Sequence, residues 1–368
     1  MTIVILGLSI TSSWGNGHAT TYRALARAMA GRGHDVLFLE RNAPWYADNR
    51  DMPTPSYCRV RLYEDLKHLR SEFLEPVRTA GLVIVGSYVP EGKQVGDLVL
   101  RHATGVTAFY DIDTPVTLAR IDAGVEYLTV KQVPAYDLYL SFTGGPTLDI
   151  LRGRYGASNP RPLYCSVDPD EYRPDPTCRA TFDLGYLGTY SDDRQPVLDR
   201  LMLRAAARWR AGRFTVVGPQ YPTSIVWPPN VERNQHLAPD LHRGFYSSLR
   251  YTLNVTRRDM VQAGYSPSVR LFEASACGTP IISDEWPGLG EFFTPGEEIL
   301  LSKDASQTLQ HLRAISEEDR IEIGRRARAR VLSSHTSAHR AAELEGHVHA
   351  VRRSLVPSAD GVFARTAS

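Results

Sequence analysis

Within 264–291 the chain concentrates side chains that can do chemistry. Ser266, Arg270, Glu273 and Cys277 recur at i, i+4, i+7 and i+11, so on a helix they share one face. An arginine and a glutamate on one face of an otherwise apolar helix are expensive to bury unless each has a partner. Ser266 is a good N-cap and Pro267 suits the first helical position, with Gly278 closing the helix after about Cys277. The free N–H groups of such a start favour an anion, for example a phosphate. The plain alternative is a packed helix with one ion pair, Arg270 to Glu273.

Other groups fall at loops that follow strands. The loop 188–194 joins a strand to a helix and holds a glycine, hydroxyls and a cation, so Thr189, Tyr190 and Arg194 form a candidate diphosphate cradle. Arg257 follows the strand 251–256 and is a second phosphate candidate. Arg194, Arg257 and Arg270 are thus expected to converge on one edge, surface ion pairs being the alternative for each. Nearer the N-terminus, Gly15 and Gly17 allow the main chain to approach a ligand closely. His18, beside them, is a candidate for binding or proton transfer, against a solvated or capping role. Asp111 and Asp113 follow another strand. Alternation in an extended segment turns both to one side. A metal pair is weighed and set below a cleft role, in which one carboxylate binds acceptor hydroxyls or acts as a base. A turn role for Asp113, just before Thr114-Pro115, is the bland competitor.

The elements needed to hold these groups read as alternating strands and helices. Apolar runs at 3–8, 35–40, 82–86, 106–110 and 136–142 predict buried parallel strands, with a helix carrying Tyr22, Leu25, Ala26 and Met29 after the first. A second set begins at 184–188 and continues through 214–219, 230–237, 251–256 and 280–283. The fold class is α/β, two Rossmann-like halves, with ligands expected outside the carboxyl ends of the strands. The glycine loop after the first strand is not the GxGxxG fingerprint, and it is not a P-loop.

Several stretches resemble the family 4 glycosyltransferases. The run Phe272-Glu273-Ala274-Ser275-Ala276-Cys277-Gly278-Thr279-Pro280-Ile281-Ile282 is similar to that family's donor-nucleotide helix, and Val167-Asp168-Pro169-Asp170-Glu171-Tyr172-Arg173-Pro174 to its interdomain linker. Gly264-Tyr265-Ser266-Pro267-Ser268 resembles a bacterial, CgeB-like branch. The resemblance implies GT-B architecture: two Rossmann-like domains facing each other across a cleft. It implies a UDP- or GDP-type sugar donor as co-substrate, no cofactor, no bound metal, and retention at the anomeric centre. Glu273 would bind the ribose, His236 and Leu237 would flank the base, Arg194 would meet the diphosphate, and Gly288 and Leu289 would offer backbone N–H groups to the donor. Many relatives carry a second glutamate where this chain has Tyr265. The expected division is 1–165 for the acceptor, 166–335 for the nucleotide sugar, 336–355 as a helix crossing back, and 356–368 as a disordered tail. A GT-B sugar-phosphate epimerase or phosphorylase, and a non-catalytic nucleotide-sugar-binding protein, remain as alternatives.

The bulk properties fit a soluble enzyme. The chain has 368 residues, 42% hydrophobic and 23% charged, with a net charge of +1, so nothing in the balance calls for nucleic acid. The four cysteines show no metal-ligand spacing and point to a reducing compartment. No apolar run reaches membrane-spanning length, so a cytoplasmic location is expected. The basic segment 316–332 offers peripheral contact with acidic lipid, but a solvated face is preferred. The pairs His335/His339 and Glu343/His347 are weighed as zinc ligands and set aside. The oligomeric state is left open.

Overall fold

Seven short runs build the first sheet of the computed structural model, which describes residues 1–15 and 17–355. The tail expected at 356–368 lies outside the described residues. The strands are β1 (Thr2–Gly7), β2 (Asp35–Arg41), β3 (Arg59–Tyr63), β4 (Leu82–Gly86), β5 (Val106–Asp111), β6 (Leu138–Ser141) and β7 (Pro160–Pro162). All pair in parallel in the order β3-β2-β1-β4-β5-β6-β7. β4 and β5 are buried along their whole length, as helices on both faces of a parallel sheet require. Helices α1 (His18–Gly31) and α2 (Pro44–Ala47) follow β1 and β2.

The second sheet contains β8 (Phe182–Leu187), β9 (Phe214–Val217), β10 (Val231–Asn234), β11 (Leu249–Asn254), β12 (Ile281–Ser283) and β13 (Leu300–Leu301). Its order, β10-β9-β8-β11-β12-β13, is again parallel. Both sheets therefore follow the doubly wound 3-2-1-4-5-6 pattern. Their switch points lie between β1 and β4 and between β8 and β11, and ligands in such sheets sit at those carboxyl ends.

The strands not anticipated from sequence are all at edges. β3 alternates exposed and half-buried residues, β7 holds two prolines, and β13 has two residues. Two helices are irregular. The segment 239–249 is a 3-10 turn at Pro239–Leu241 followed by a helix at His242–Ser247. The helix after β8 widens to a π-turn at Asp199–Leu203.

One core cluster runs through both halves, joining Leu163, Cys165 and Val167 to Phe272, Trp286 and Phe292. The Ser337–Leu355 helix carries Leu344 and Val348 into the same cluster and packs on α1, where Arg32 and His34 both bond Glu345. The linker is pinned beside this helix: the N–H of Val167 donates to His335 O at 3.2 Å and that of Ser337 donates to Val167 O at 2.9 Å.

Candidate active site

The strap 264–268 decides where the key helix begins. The N–H of Tyr265 donates to Pro287 O at 2.7 Å, and its carbonyl accepts from the Gly144 N–H at 3.0 Å. Ser266 is buried, with Oγ 2.9 Å from Thr143 Oγ1, and Cys165 Sγ donates to Pro267 O at 3.2 Å. These ties hold the strap against the first sheet's loops, so the helix spans Val269–Ala276 with Ser268 as N-cap. That corrects the expectation of a start at Ser266, whose hydroxyl serves an interdomain contact instead.

On this helix Arg270 and Glu273 do not pair. Arg270 donates from Nε and Nη2 to Leu187 O at 3.0 and 2.5 Å, and from Nη1 to Asn254 Oδ1 at 3.0 Å, with its guanidinium over the Tyr186 ring. It locks the carboxyl ends of β8 and β11 together. Glu273 is 4% exposed and accepts from the Tyr246 hydroxyl at 3.1 Å on Oε2. Its carboxylate lines a cavity of about 230 Å³ between the two sheets, with Gly15, Gly17, Thr20, Gly188, Thr189, His236, Leu237 and Arg270 among the other walls.

The loops that bound this cavity are fixed by buried polar groups that sequence reading missed. Glu40, at the end of β2, is fully buried. It accepts four hydrogen bonds, from Ile10 N, Thr11 N, Thr11 Oγ1 and Ser9 Oγ, at 2.6–3.1 Å. That clamps the loop after β1. Asn254, at the end of β11, accepts from Arg270 and from Ser268 Oγ at 2.8 Å and donates to Ser283 Oγ at 3.0 Å. The only hint in the sequence was position: a polar residue ending an apolar strand faces the ligand edge. Gly218 lies against the carbonyl of Gly188, leaving no room for a Cβ, so the loops after β8 and β9 touch.

The two aspartates part company. Asp111 ends β5 fully buried, accepting from Thr117 Oγ1 at 2.8 Å and from the Tyr139 hydroxyl at 2.6 Å. Burial pushes its carboxyl up to about 6, against the lowering effect of those two donors. It does not reach the cleft, which removes it from the catalytic candidates. The chain turns out of the strand at Ile112, so strict alternation does not extend to Asp113. Asp113 is the N-cap residue of the Thr114–Arg120 helix but makes no side-chain cap. Its Oδ2 lies 3.9 Å from His18 Nε2. Burial pushes its carboxyl up, but His18 and Arg257 outweigh that and hold it below the ordinary carboxylate value.

His18 opens α1 and is 8% exposed. Its ring stands edge-on to Tyr88 at 5.3 Å, and its buried Nδ1 has no hydrogen-bond partner. Tyr88 holds a left-handed backbone, φ 63°, at the carboxyl end of β4. His18, Asp113 and Tyr88 thus gather at the first sheet's switch point, and Arg257 faces them from the end of β11.

The three cations gather at the carboxyl edge of the second sheet, but two of them are spent there on protein acceptors. Arg194 folds onto its own loop, donating to Ser191 Oγ at 2.8 Å and to Thr189 O at 2.7 Å. Arg270 is committed as above. The Arg257 side chain takes no hydrogen bond or ion pair among the described residues and sits near Asp113 and Asp193, whose carboxyls it helps to hold down. Tyr190 turns outward, its hydroxyl donating to Asp192 at 2.6 Å. Leu289 is buried in the core, and Gly288 packs against the Tyr265 ring; neither lines the cavity. His236 is exposed at the cavity mouth, its ring 5.4 Å from that of Trp14 across the gap. Among the described residues no group of three or more His, Cys, Asp or Glu is placed to hold a metal, and no helix is long and apolar enough to cross a membrane.

Comparison with known proteins bears on this geometry. Residues 194–346 match the family model described as glycosyl transferase-like. No curated protein matches the chain. Sucrose-phosphate synthase from Thermosynechococcus elongatus superposes with a TM-score of 0.68 at 15% identity, over 96% of this chain and 100% of that one. Anabaena HepE, in complex with UDP-glucose, gives 0.68 at 12% identity, over 95% and 100%. An alpha-glucosyltransferase in complex with UDP gives 0.69 at 13% identity, again over 95% and 100%. The fold is GT-B. Its second half carries a glycosyl transferase-like domain, and the cavity at Glu273 lies in the GT-B cleft, between the two switch points.

Proposed function

We propose that this chain is a glycosyltransferase that moves a sugar from a nucleoside-diphosphate donor to an acceptor held by the first half. One observation carries the reading: a single cavity brings the Gly15–Gly17 loop of one sheet against Gly188, Thr189, Arg270 and Glu273 of the other. In this assignment Glu273 takes the ribose hydroxyls, with Tyr246 holding its second oxygen, and His236 and Leu237 edge the base. The diphosphate lies along Gly188 and Thr189, with Arg257 as the mobile cation that meets the charge developing on the leaving group. Arg270 acts from behind, by keeping β8 and β11 in register.

Just behind the cavity wall at Gly17, His18 supplies an imidazole whose Nδ1 is unpartnered. The acceptor oxygen bonds to the anomeric carbon as the bond to the diphosphate breaks. The acceptor attacks on the face the diphosphate leaves, and the departing phosphate oxygen takes the hydroxyl proton; His18 holds the acceptor hydroxyl by a hydrogen bond, and Asp113 orients the ring. Retention of the anomeric configuration, independence from metal and a UDP-type donor are part of the proposal and come from the family 4 resemblance; the UDP-bound relatives agree with the last of these. Domain closure excludes water and favours transfer over hydrolysis.

The test is a panel of UDP- and GDP-sugars assayed for nucleoside diphosphate release, with and without EDTA. Turnover with at least one donor is expected. Glu273→Gln should lower kcat/KM for that donor by about 100-fold, about 2.7 kcal/mol, with an unchanged circular dichroism spectrum. Tight nucleotide binding without turnover would turn the reading to a binding protein, and wild-type kinetics in Glu273→Gln would remove Glu273 from the donor site.

A further inference from the structure

A second, shallower groove opens off the donor cavity and nothing above uses it. It measures about 250 Å³ and is lined by Ser13, Trp14, Asp48, Asn49, Arg50 and Asp51 on one side and by His236, Ala238 and Pro239 on the other. Ser13, His236 and Pro239 also line the donor cavity, so the two spaces share a wall.

The groove is built, not left over. Ser12 Oγ donates to Asn49 O at 2.7 Å, the N–H of Met52 donates to Thr11 O at 3.0 Å, and Ser13 donates to Asp51 from its N–H at 2.8 Å and its Oγ at 3.0 Å. Arg23 grips the same carboxylate with two nitrogens, at 2.8 and 2.9 Å. These bonds weld the loop after β1 to the segment that follows α2. On this fixed base stand the two most exposed tryptophans of the described residues, Trp14 at 51% and Trp45 at 59%. Trp45 sits on α2, and Asn49 Nδ2 donates to its carbonyl at 3.3 Å.

The exposed Trp14 indole in the groove and the Trp45 indole on α2 beside it, next to planar amide and carboxylate groups, match one ligand chemistry well. The negative face of an indole suits the slightly positive C–H face of a pyranose. Asp48, exposed, and Asn49 can accept and donate to vicinal hydroxyls at its rim. The lining holds no run of aliphatic side chains that would take an acyl tail. His18 comes four positions after Trp14, so their Cα atoms are at most about 14 Å apart. A short oligosaccharide can span that distance and bring its end to the imidazole.

We infer that the Trp14 groove is a saccharide subsite, and that the acceptor is a glycan whose remote units rest on Trp14 and Trp45 while its terminal hydroxyl reaches His18. The inference rests on the donor assignment above for its orientation, but it is tested separately from it. The experiment is isothermal titration of the full chain, loaded with UDP, against malto-, cello- and chitotetraose, alongside titration with UDP alone. Binding of at least one tetraose is expected, accompanied by a change in tryptophan fluorescence. Trp14→Ala should weaken it at least tenfold, Trp45→Ala severalfold, and Trp14→Phe should restore most of the loss. UDP binding without any tetraose binding overturns the saccharide subsite and leaves the donor site standing; failure of UDP to bind sinks the donor site. Tetraose binding that is indifferent to both alanine variants, or binding only to phosphatidylglycerol vesicles, overturns the inference.

Discussion

The two sheets share a strand order and differ in what stands at their carboxyl edges. At the edge of the second sheet three polar groups around the cavity are committed: Arg270 to Leu187 and Asn254, Asn254 to Ser268 and Ser283, Arg194 to its own loop. At the edge of the first sheet His18 keeps a buried nitrogen without a partner, and Asp113 caps nothing. Buried polar atoms are normally satisfied, and the exceptions mark places where something else is meant to bind. The second edge is a cradle set before the ligand arrives; the first holds the groups left free to act on it.

Four substitutions test that contrast. The largest effect is expected for Arg270→Met, which strands the Leu187 carbonyl and Asn254 in a buried site. Urea unfolding should show a loss of about 3–4 kcal/mol; a loss under 1 kcal/mol would mean that Arg270 does not hold β8 to β11. The second concerns Asp111, whose carboxyl burial pushes up to about 6 from the ordinary carboxylate range. Its stabilising contribution is full below about pH 4 and is lost as pH rises through 6. Asp111→Asn should therefore gain on the wild type by roughly 3 kcal/mol between pH 4 and pH 8, read from unfolding at both values. A flat difference would show that Asp111 is not the buried carboxyl described.

Third, His18→Ala should lower turnover about 100-fold, about 2.7 kcal/mol, while its melting temperature stays within a few degrees of wild type. A collapse in stability with little kinetic change would make His18 a packing residue. The smallest effect belongs to Arg194→Ala. Its two short-range bonds contribute about 1 kcal/mol, and donor KM should shift less than threefold. A tenfold rise in KM would restore it as a diphosphate ligand.

A fifth group acts in the opposite pH direction. His335 is buried against Phe272, and burial first, then Arg340, depress its imidazole to about 3. Its contribution is present above pH 6.5 and is lost as pH falls towards 3. In the wild type it opposes Asp111 between about pH 4 and 6, so the Asp111→Asn variant should show a steeper acid limb.

Much of the fold was legible because it depends on patterns local to each segment. The runs beginning at Ile3, Leu82, Val106 and Phe214 are apolar, short and followed by loops, and each is a buried strand. The edge strands were not legible. Arg59–Tyr63 is half polar, and β7 is held by pairing at Tyr139, not by its own residues. For the site, one face did carry Arg270 and Glu273, as 3.6-residue periodicity requires. Which partner each would choose was not readable. The Arg270 acceptors lie 16 and 83 residues away, and the Glu40 donors about 30. The Asp111–Asp113 pair failed for a local reason: the strand ends between them, and period-two alternation ends with it.

Tyr265 has a further consequence. Its ring fills the space between Gly145 of the first half and Gly288 of the second, on a left-handed backbone with φ 48°, in the strap tied to Thr143 and Gly144. A seam with interlocked ring and hydrogen bonds parts less readily than the ring contact of Trp14 with His236. A cleft that opened on this seam would part as a book does, spine at Tyr265 and fore-edge at Trp14. Traffic would then pass by the fore-edge, and the expected outcome is that the substrate lying deeper enters first and its spent remainder leaves last. Steady-state inhibition patterns would register that as compulsory order.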